Sequence, residues 1–231
     1  MERLSRTEML LGKENTKRLE NAHVAIFGIG GVGSYVAEAL ARSGIGHLTI
    51  VDRDVVSESN INRQLIALYS TVGKDKVEVM RDRIADINPQ AEVDARKCFY
   101  LPDTAGDFDF SGYDYIVDAV DTVTAKIELI QRAIASGTRI ISCMGTGNKL
   151  DPSQLEITDI SKTTVCPLAR VMRKELKKRG IDRLTVLYSK EKPIAVGGAL
   201  PGSVAFVPGT AGLMIAGKVI RDIIGGVSQN V

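Results

Sequence analysis

The chain has little cysteine, almost no excess of charge and no long apolar run, and each shortage removes a class of protein. Its three cysteines, Cys98, Cys143 and Cys166, are odd in number and far apart. No Cys-x-x-Cys pair offers the ligand spacing of structural zinc or of a redox disulfide, so no zinc is expected and a reducing, cytoplasmic setting is. Lys and Arg number 30 against 28 Asp and Glu, a net charge of +2, so overall charge calls for neither a strongly acidic nor a strongly basic partner. Any nucleic-acid contact has to come from a local patch. Residues Met1 to Thr7 lack the apolar core of a secretory signal. The most apolar late stretch, Gly212 to Ile224, is broken by Lys218, Arg221 and Asp222 and is too short for the ~30 Å of a bilayer core. It reads as a soluble helix, and no membrane span is expected.

What is present is enough for one sizeable core: 231 residues, 44% of them hydrophobic. Apolar, β-rich runs occur at His23 to Gly28, His47 to Asp52, Tyr113 to Asp118 and Thr138 to Cys143, each the length of a buried parallel strand. Helix-period segments separate them. Val32 to Arg42 places Val36, Ala37, Leu40 and Ala41 on one face; Lys74 to Ile87 does so with Val77, Met80, Ile84 and Ile87, and Ala125 to Ala135 with Ile127, Ile130 and Ile134. This alternation predicts right-handed βαβ crossovers and a Rossmann-like, doubly wound α/β fold with a mainly parallel sheet. After Gly147 the rhythm changes to a strand at Gln154 to Asp159, a helix at Pro167 to Arg179, a strand at Leu184 to Tyr188 and a Gly- and Pro-rich stretch. That half reads as a mixed, antiparallel C-terminal extension of the same sheet. The expected organisation is a single domain over 1–231: an N-terminal helical arm (1–21), a nucleotide-binding half (22–147) and a substrate-facing half (148–231).

The run Gly28-Ile29-Gly30-Gly31-Val32-Gly33-Ser34 ends an apolar strand and opens a helix. In that context glycines let the backbone approach phosphates, and the helix presents free amides and the positive end of its dipole to an anion. Asp52 ends the next strand, where a carboxylate hydrogen-bonds a ribose hydroxyl. These features alone also satisfy the dinucleotide fingerprint of a dehydrogenase, so a nicotinamide-dependent oxidoreductase stays open at this point.

The loop after Asp52 favours a triphosphate. Asp54, Asn60, Asn62, Arg63 and Gln64 crowd polar and cationic groups there, and Lys76 follows the turn at Gly73. A planar guanidinium suits bidentate phosphate contact, and a lysine adds a mobile point charge that can follow a leaving pyrophosphate. Asp121, beyond the strand that ends in Asp118, is a hard oxygen ligand where a magnesium ion bridging phosphates would sit. The plainer alternatives are a solvated Arg63/Lys76 surface pair and helix-capping roles for Asp118 and Asp121.

Together these residues resemble the ubiquitin-activating-enzyme-like adenylyltransferases. The resemblance rests on Gly28 to Ser34, Val51-Asp52-Arg53-Asp54, Ser59-Asn60-Ile61-Asn62-Arg63-Gln64, Val72-Gly73-Lys74-Asp75-Lys76-Val77, Ile87-Asn88-Pro89 and Asp118 to Asp121. It implies ATP as co-substrate, Asp52 on the ribose, Asn60, Arg63, Gln64 and Lys76 on the phosphates, and Asp121 on Mg2+. Arg6, in Arg3-Leu4-Ser5-Arg6, matches an arginine that family dimers insert into the partner's ATP site, which implies a homodimer. The nucleotide-binding set is then Gly28, Gly30, Gly31, Gly33, Ser34, Asp52, Asp54, Asn60, Asn62, Gln64 and Asp118, with Arg63, Lys76, Asp121 and Arg6 as the catalytic set.

The second half resembles one branch, the tRNA threonylcarbamoyladenosine dehydratases, in Gly145-Thr146-Gly147-Asn148-Lys149-Leu150-Asp151-Pro152, Asp159-Ile160-Ser161-Lys162-Thr163, Pro167-Leu168-Ala169-Arg170 and Pro201-Gly202-Ser203. That branch adenylates the threonyl carboxylate of a modified adenosine beside the anticodon, and ring closure by the carbamoyl nitrogen expels AMP. The resemblance leaves a sulfur-transfer helper protein and a monovalent cation open. It gives no reason to expect DNA as a partner. The alternative is activation of a ubiquitin-like sulfur carrier, against which the missing zinc cysteines argue.

Independently of the resemblance, the helix after Pro167 carries Arg170, Arg173, Lys174 and Lys177 on one face and Leu168, Met172 and Leu176 on the other. The basic stripe suits RNA phosphates; an ordinary solvated face is the competing reading. Cys166, at the start of that helix, is placed where a thiolate is favoured, though an inert capping role is the simpler expectation. His23 and His47 lack metal-ligand spacing and are expected to be structural. Family members often extend beyond the point where this chain stops, at Val231, with an apolar or basic segment, so membrane attachment does not carry over.

Overall fold

A computed structural model gives the structure and describes residues 2–197 and 201–225; the tail beyond Gly226 lies outside the described residues. The strands are β1 (His23–Phe27), β2 (His47–Val51), β3 (Glu92–Arg96), β4 (Tyr115–Asp118), β5 (Arg139–Cys143), β6 (Leu155–Asp159) and β7 (Thr185–Ser189). They form one sheet in the order β3-β2-β1-β4-β5-β7-β6. All pairings are parallel except that of β6 with β7. Order reverses between β1 and β4, which opens a crevice at the carboxyl ends of those strands.

The helices are α1 (Ser5–Leu11), α2 (Lys13–Asn21), α3 (Gly33–Arg42), α4 (Lys76–Ile87), α5 (Val123–Ser136), α6 (Pro167–Lys177) and α7 (Phe206–Ile223). Period-2 alternation splits the core between two faces. On β1, Val24 and Ile26 pack with Leu40, Ile84, Ile215 and Val219, while Ala25 and Phe27 pack with Ile130, Met172 and Leu176. Burying each large aliphatic side chain contributes about 1.5–3 kcal/mol, so both layers stabilise the sheet whose carboxyl edge carries the site.

Two elements differ from the sequence reading. β3 was not expected, because an edge strand buried on neither face carries no strong apolar alternation: Glu92, Val93, Asp94, Ala95 and Arg96 are all exposed or half-buried. α7 starts at Phe206, well before Gly212, although Pro208 and Gly209 belong to the Gly- and Pro-rich stretch ahead of the expected helix. Pro208 sits in the first helical turn, where its missing amide costs nothing. The glycines let α7 lie close on α3: a Cβ at Gly212 would fall 2.5 Å from the Val32 carbonyl oxygen, and one at Gly209 3.3 Å from the Tyr35 ring.

Candidate active site

The carboxyl ends of β3, β2, β1 and β4 surround a cavity of about 380 Å³, lined by Gly28, Gly30, Gly31, Asp52, Asp54, Asn60, Arg63, Gln64, Lys76 and Asp121, and by Arg53, Phe99 and Thr146. The glycines divide their work. Gly28 has φ +92°, and a Cβ there would lie 2.6 Å from the Ala119 carbonyl oxygen; at Gly33 a Cβ would lie 1.7 Å from the Gly28 oxygen. Those two close the turn onto the neighbouring strand and helix. At Gly30 the nearest atom to an added Cβ is Gln64 Nε2 at 3.8 Å, so this glycine keeps its space for a ligand.

Asp52 is fixed before any ligand arrives. Its Oδ2 accepts from the Ile29 amide at 2.7 Å and its Oδ1 from the Asp54 amide at 2.9 Å. Lys76 is only 5% exposed, and its Nζ lies 3.0 Å from Asp54 Oδ2 and 4.0 Å from Asp52 Oδ2. The two carboxylates thus anchor the Lys76 side chain at the cavity wall. Arg63 is half-buried and donates to the Ser59 carbonyl at 2.9 Å and to Asn62 Oδ1 at 2.8 Å. Asn60 Oδ1 accepts from the Ser57 amide, closing the short turn that presents Arg63. The buried Oε1 of Gln64 has no partner among the described residues, the kind of unsatisfied group that a bound ligand completes.

Four residues of the expected nucleotide set do not line the cavity: Gly33, which closes the turn, and Asp118, Ser34 and Asn62. Asp118 is wholly buried: it pairs with Lys126 and accepts from Ser142 Oγ, so it braces the floor and cannot reach a ligand. Ser34 is spent on the Gly30 carbonyl and the Leu65 amide. Asn62 Nδ2 donates to the Ser203 carbonyl at 3.0 Å, tying the loop that carries Ser203, itself a cavity residue, to the Arg63 turn. A side chain at the right place in a motif still turns toward whichever partner packing offers it.

Among the described residues no group of three or more His, Cys, Asp or Glu side chains could enclose a metal. Asp121 lines the cavity without a second carboxylate cage. That arrangement fits Mg2+, which is commonly held by one or two carboxylates together with substrate phosphates. Arg6 lies exposed on α1 and is not part of this cavity within one chain.

The ThiF family profile matches residues 4–230. The chain belongs to the ThiF family. It is 44% identical to the tRNA threonylcarbamoyladenosine dehydratase of Bacillus subtilis over 242 residues, covering 97% of this chain and 95% of that protein. The crystal structure of the Escherichia coli tRNA N6-threonylcarbamoyladenosine dehydratase in complex with ATP superposes with a TM-score of 0.91 at 35% identity, over 96% of this chain and 94% of that one. A probable adenylyltransferase/sulfurtransferase of Mycobacterium tuberculosis is 39% identical over 127 residues, 55% of this chain and 32% of that protein.

Outside the cavity this ThiF-family chain carries the basic stripe on α6. Arg170, Arg173, Lys174 and Lys177 line a shallow depression of about 450 Å³ with Ser161 and Asp182. Arg173 is partly committed, since its guanidinium donates to the Thr163 carbonyl at 2.8 Å and to the Thr163 hydroxyl. Glu175 turns the other way, onto Lys178 and Arg179, which leaves Arg170, Lys174 and Lys177 with no side-chain acceptor among the described residues. The start of α6 abuts the loop that carries Thr146 to the cavity: a Cβ on Gly145, the neighbour of Thr146, would lie 4.0 Å from Leu168 Cβ.

Cys166 is 2% exposed, packed in the α5/α6 layer, so the helix-start position does not yield an accessible thiol. Cys143 is sealed as well, and burial pushes its thiol up to about 12. His23 Nε2 meets Thr49 Oγ1 at 2.9 Å in a structural contact. Among the cavity residues to which the sequence reading gave no site role are Arg53, Cys98, Phe99 and Tyr100. The last three follow the unrecognised edge strand β3 and no motif marks them, whereas Arg53 stands inside the Val51–Asp54 motif but was given no role.

Proposed function

We propose that this chain is an ATP-dependent dehydratase acting on threonylcarbamoyladenosine in tRNA, working as a single adenylating domain in the cytoplasm. The supporting observation is that one cavity brings together the open face of Gly30, the pre-fixed Asp52 carboxylate, the Arg63 and Lys76 cations and Asp121. The likeness to the Bacillus subtilis protein over nearly the whole of both chains supports the choice of substrate.

In this reading the ribose hydroxyls bind Asp52, and the triphosphate lies over the α3 N-terminus, where amides and helix dipole favour an anion. The threonyl carboxylate, already an anion, attacks the α-phosphorus and forms an acyl-adenylate as pyrophosphate leaves. Arg63 and Lys76 offset the charge that accumulates on the leaving group. The neighbouring carbamoyl nitrogen then attacks the acyl carbon, loses its proton to water and expels AMP, which carries away the carboxylate oxygen. That second step is intramolecular, so alignment supplies most of its advantage. Asp121 would hold Mg2+, whose contribution is to neutralise phosphate charge. A second copy of the chain would insert Arg6 into the site, and Arg170, Lys174 and Lys177 would contact tRNA phosphates.

The test is to incubate the purified protein with ATP and tRNA bearing the modification and to analyse the nucleosides by mass spectrometry. Loss of one water from the modified adenosine, with AMP produced in equal amount, is expected. No mass change, with pyrophosphate exchange seen only on adding a small carrier protein, overturns the assignment in favour of carrier activation.

A further inference from the structure

Asn148 is the one non-glycine residue with a left-handed backbone among the described residues, at φ +59°. Asparagine tolerates that region better than most side chains, so the position alone marks only a tight turn. Its contacts say more. The Asn148 amide donates to the Gly202 carbonyl at 2.8 Å, and its Oδ1 accepts from the Gly202 amide at 2.6 Å. A Cβ on the preceding Gly147 would fall 2.9 Å from Pro201 Cβ, so the two segments lie in direct contact.

This clasp joins a firm half to a loose one. On the firm side Lys149, 3% exposed, donates to the Glu191 carbonyl at 2.7 Å, and the Leu150 and Asp151 amides donate to the Glu191 carboxylate. On the other side Pro201 and Gly202 are exposed, so hydrogen bonds and not core packing keep the segment in place. Asn148 holds it at Gly202, and Asn62 holds it at the Ser203 carbonyl. Both halves reach the cavity: Thr146, two residues before Asn148, and Ser203, next to Gly202, line it, while Asn148 does not.

Strand order shows which part of the cavity they serve. The neighbours β2, β1, β4 and β5 bring Asp52, then the glycine turn, then Asp121, then Thr146 to it. With the ribose at Asp52 and the phosphates over the glycine turn, Thr146 and Ser203 stand at the end left for the attacking carboxylate. We infer that Asn148 is a positioning residue for this acceptor end, acting by fastening the segment that carries Ser203 to the turn that carries Thr146. The identity of the acceptor rests on the dehydratase reading above.

The experiment compares steady-state kinetics on the modified tRNA with ATP affinity by calorimetry, using the full chain. Asn148→Gly keeps the left-handed turn and its backbone hydrogen bonds and removes only Oδ1. It should lower kcat/KM for the tRNA about tenfold, as a displaced positioning contact does, and leave ATP affinity unchanged. Asn148→Asp keeps an acceptor for the Gly202 amide and should recover most of the loss. Wild-type kcat/KM in Asn148→Gly, ATP affinity falling in step with kcat/KM, or a loss in Asn148→Asp as large as in Asn148→Gly would each overturn the inference. If wild type leaves the modified tRNA untouched and exchanges pyrophosphate only with a small carrier protein, the dehydratase assignment falls. The same comparison with that carrier as acceptor then decides for or against Asn148.

Discussion

Lys126 Nζ lies 3.1 Å from each carboxylate oxygen of Asp118, and both side chains are completely buried. The same ammonium donates to the Cys143 carbonyl at 2.7 Å, and Ser142 Oγ donates to Asp118. One lysine from the first turn of α5 thus ties together the ends of β4 and β5, just before the loops that carry Asp121 and Thr146 into the cavity. Removing one member of such a pair leaves an uncompensated buried charge. Lys126→Met should therefore lose about 3–5 kcal/mol of stability in denaturant titration, and the double variant Asp118→Asn/Lys126→Met should recover a substantial part of it. A single variant as stable as wild type would mean that the pair carries no structural weight.

The glycine turn makes a contrast between neighbouring positions. Gly33→Ala has no room, since the new Cβ would sit 1.7 Å from the Gly28 oxygen, and should lower the melting temperature sharply. Gly30→Ala meets nothing closer than 3.8 Å and should fold normally while binding ATP at least tenfold more weakly. Thermal melts paired with ATP titration separate the two; equal loss of stability at both positions would contradict the division of work.

Arg63, half-buried, and Asp121, exposed, stand on the cavity wall outside the core, so their replacement should disturb folding little and chemistry severely. Arg63→Ala and Asp121→Ala are expected to abolish ATP–pyrophosphate exchange while keeping cooperative unfolding near that of wild type. Wild-type exchange in both variants would remove the adenylation assignment.

For the α6 stripe, salt is the diagnostic variable. Replacing Arg170, Lys174 or Lys177 with Ala should weaken tRNA binding and reduce the slope of log affinity against log salt by about one for each lost phosphate contact, with ATP affinity unchanged. Arg173→Ala should instead act partly through stability, because its guanidinium secures the Thr163 turn. Unaltered salt slopes in the first three would identify the stripe as a solvated helix face.

The sequence by itself determined the strand–helix alternation through β1, β2, β4 and β5, the glycine turn, and the identities of Asp52, Arg63, Lys76 and Asp121 at the cavity. Those features are local: apolar period, turn chemistry and motif spacing are set within a few residues of one another. Tertiary structure alone decided the rest. Asp118, Ser34 and Asn62 occupy motif positions, but packing hands them Lys126, the Leu65 amide and the Ser203 carbonyl as partners, so they brace the site without facing it. β3 and the Cys98 to Tyr100 wall were illegible, because an edge strand is recognised by its hydrogen bonds to a neighbour and not by its own apolar pattern. The start of α7 was hidden for a related reason. Pro208 and Gly209 break an isolated helix pattern, yet Gly209 and Gly212 are what let α7 approach α3, and that contact exists only once both helices are docked on the sheet.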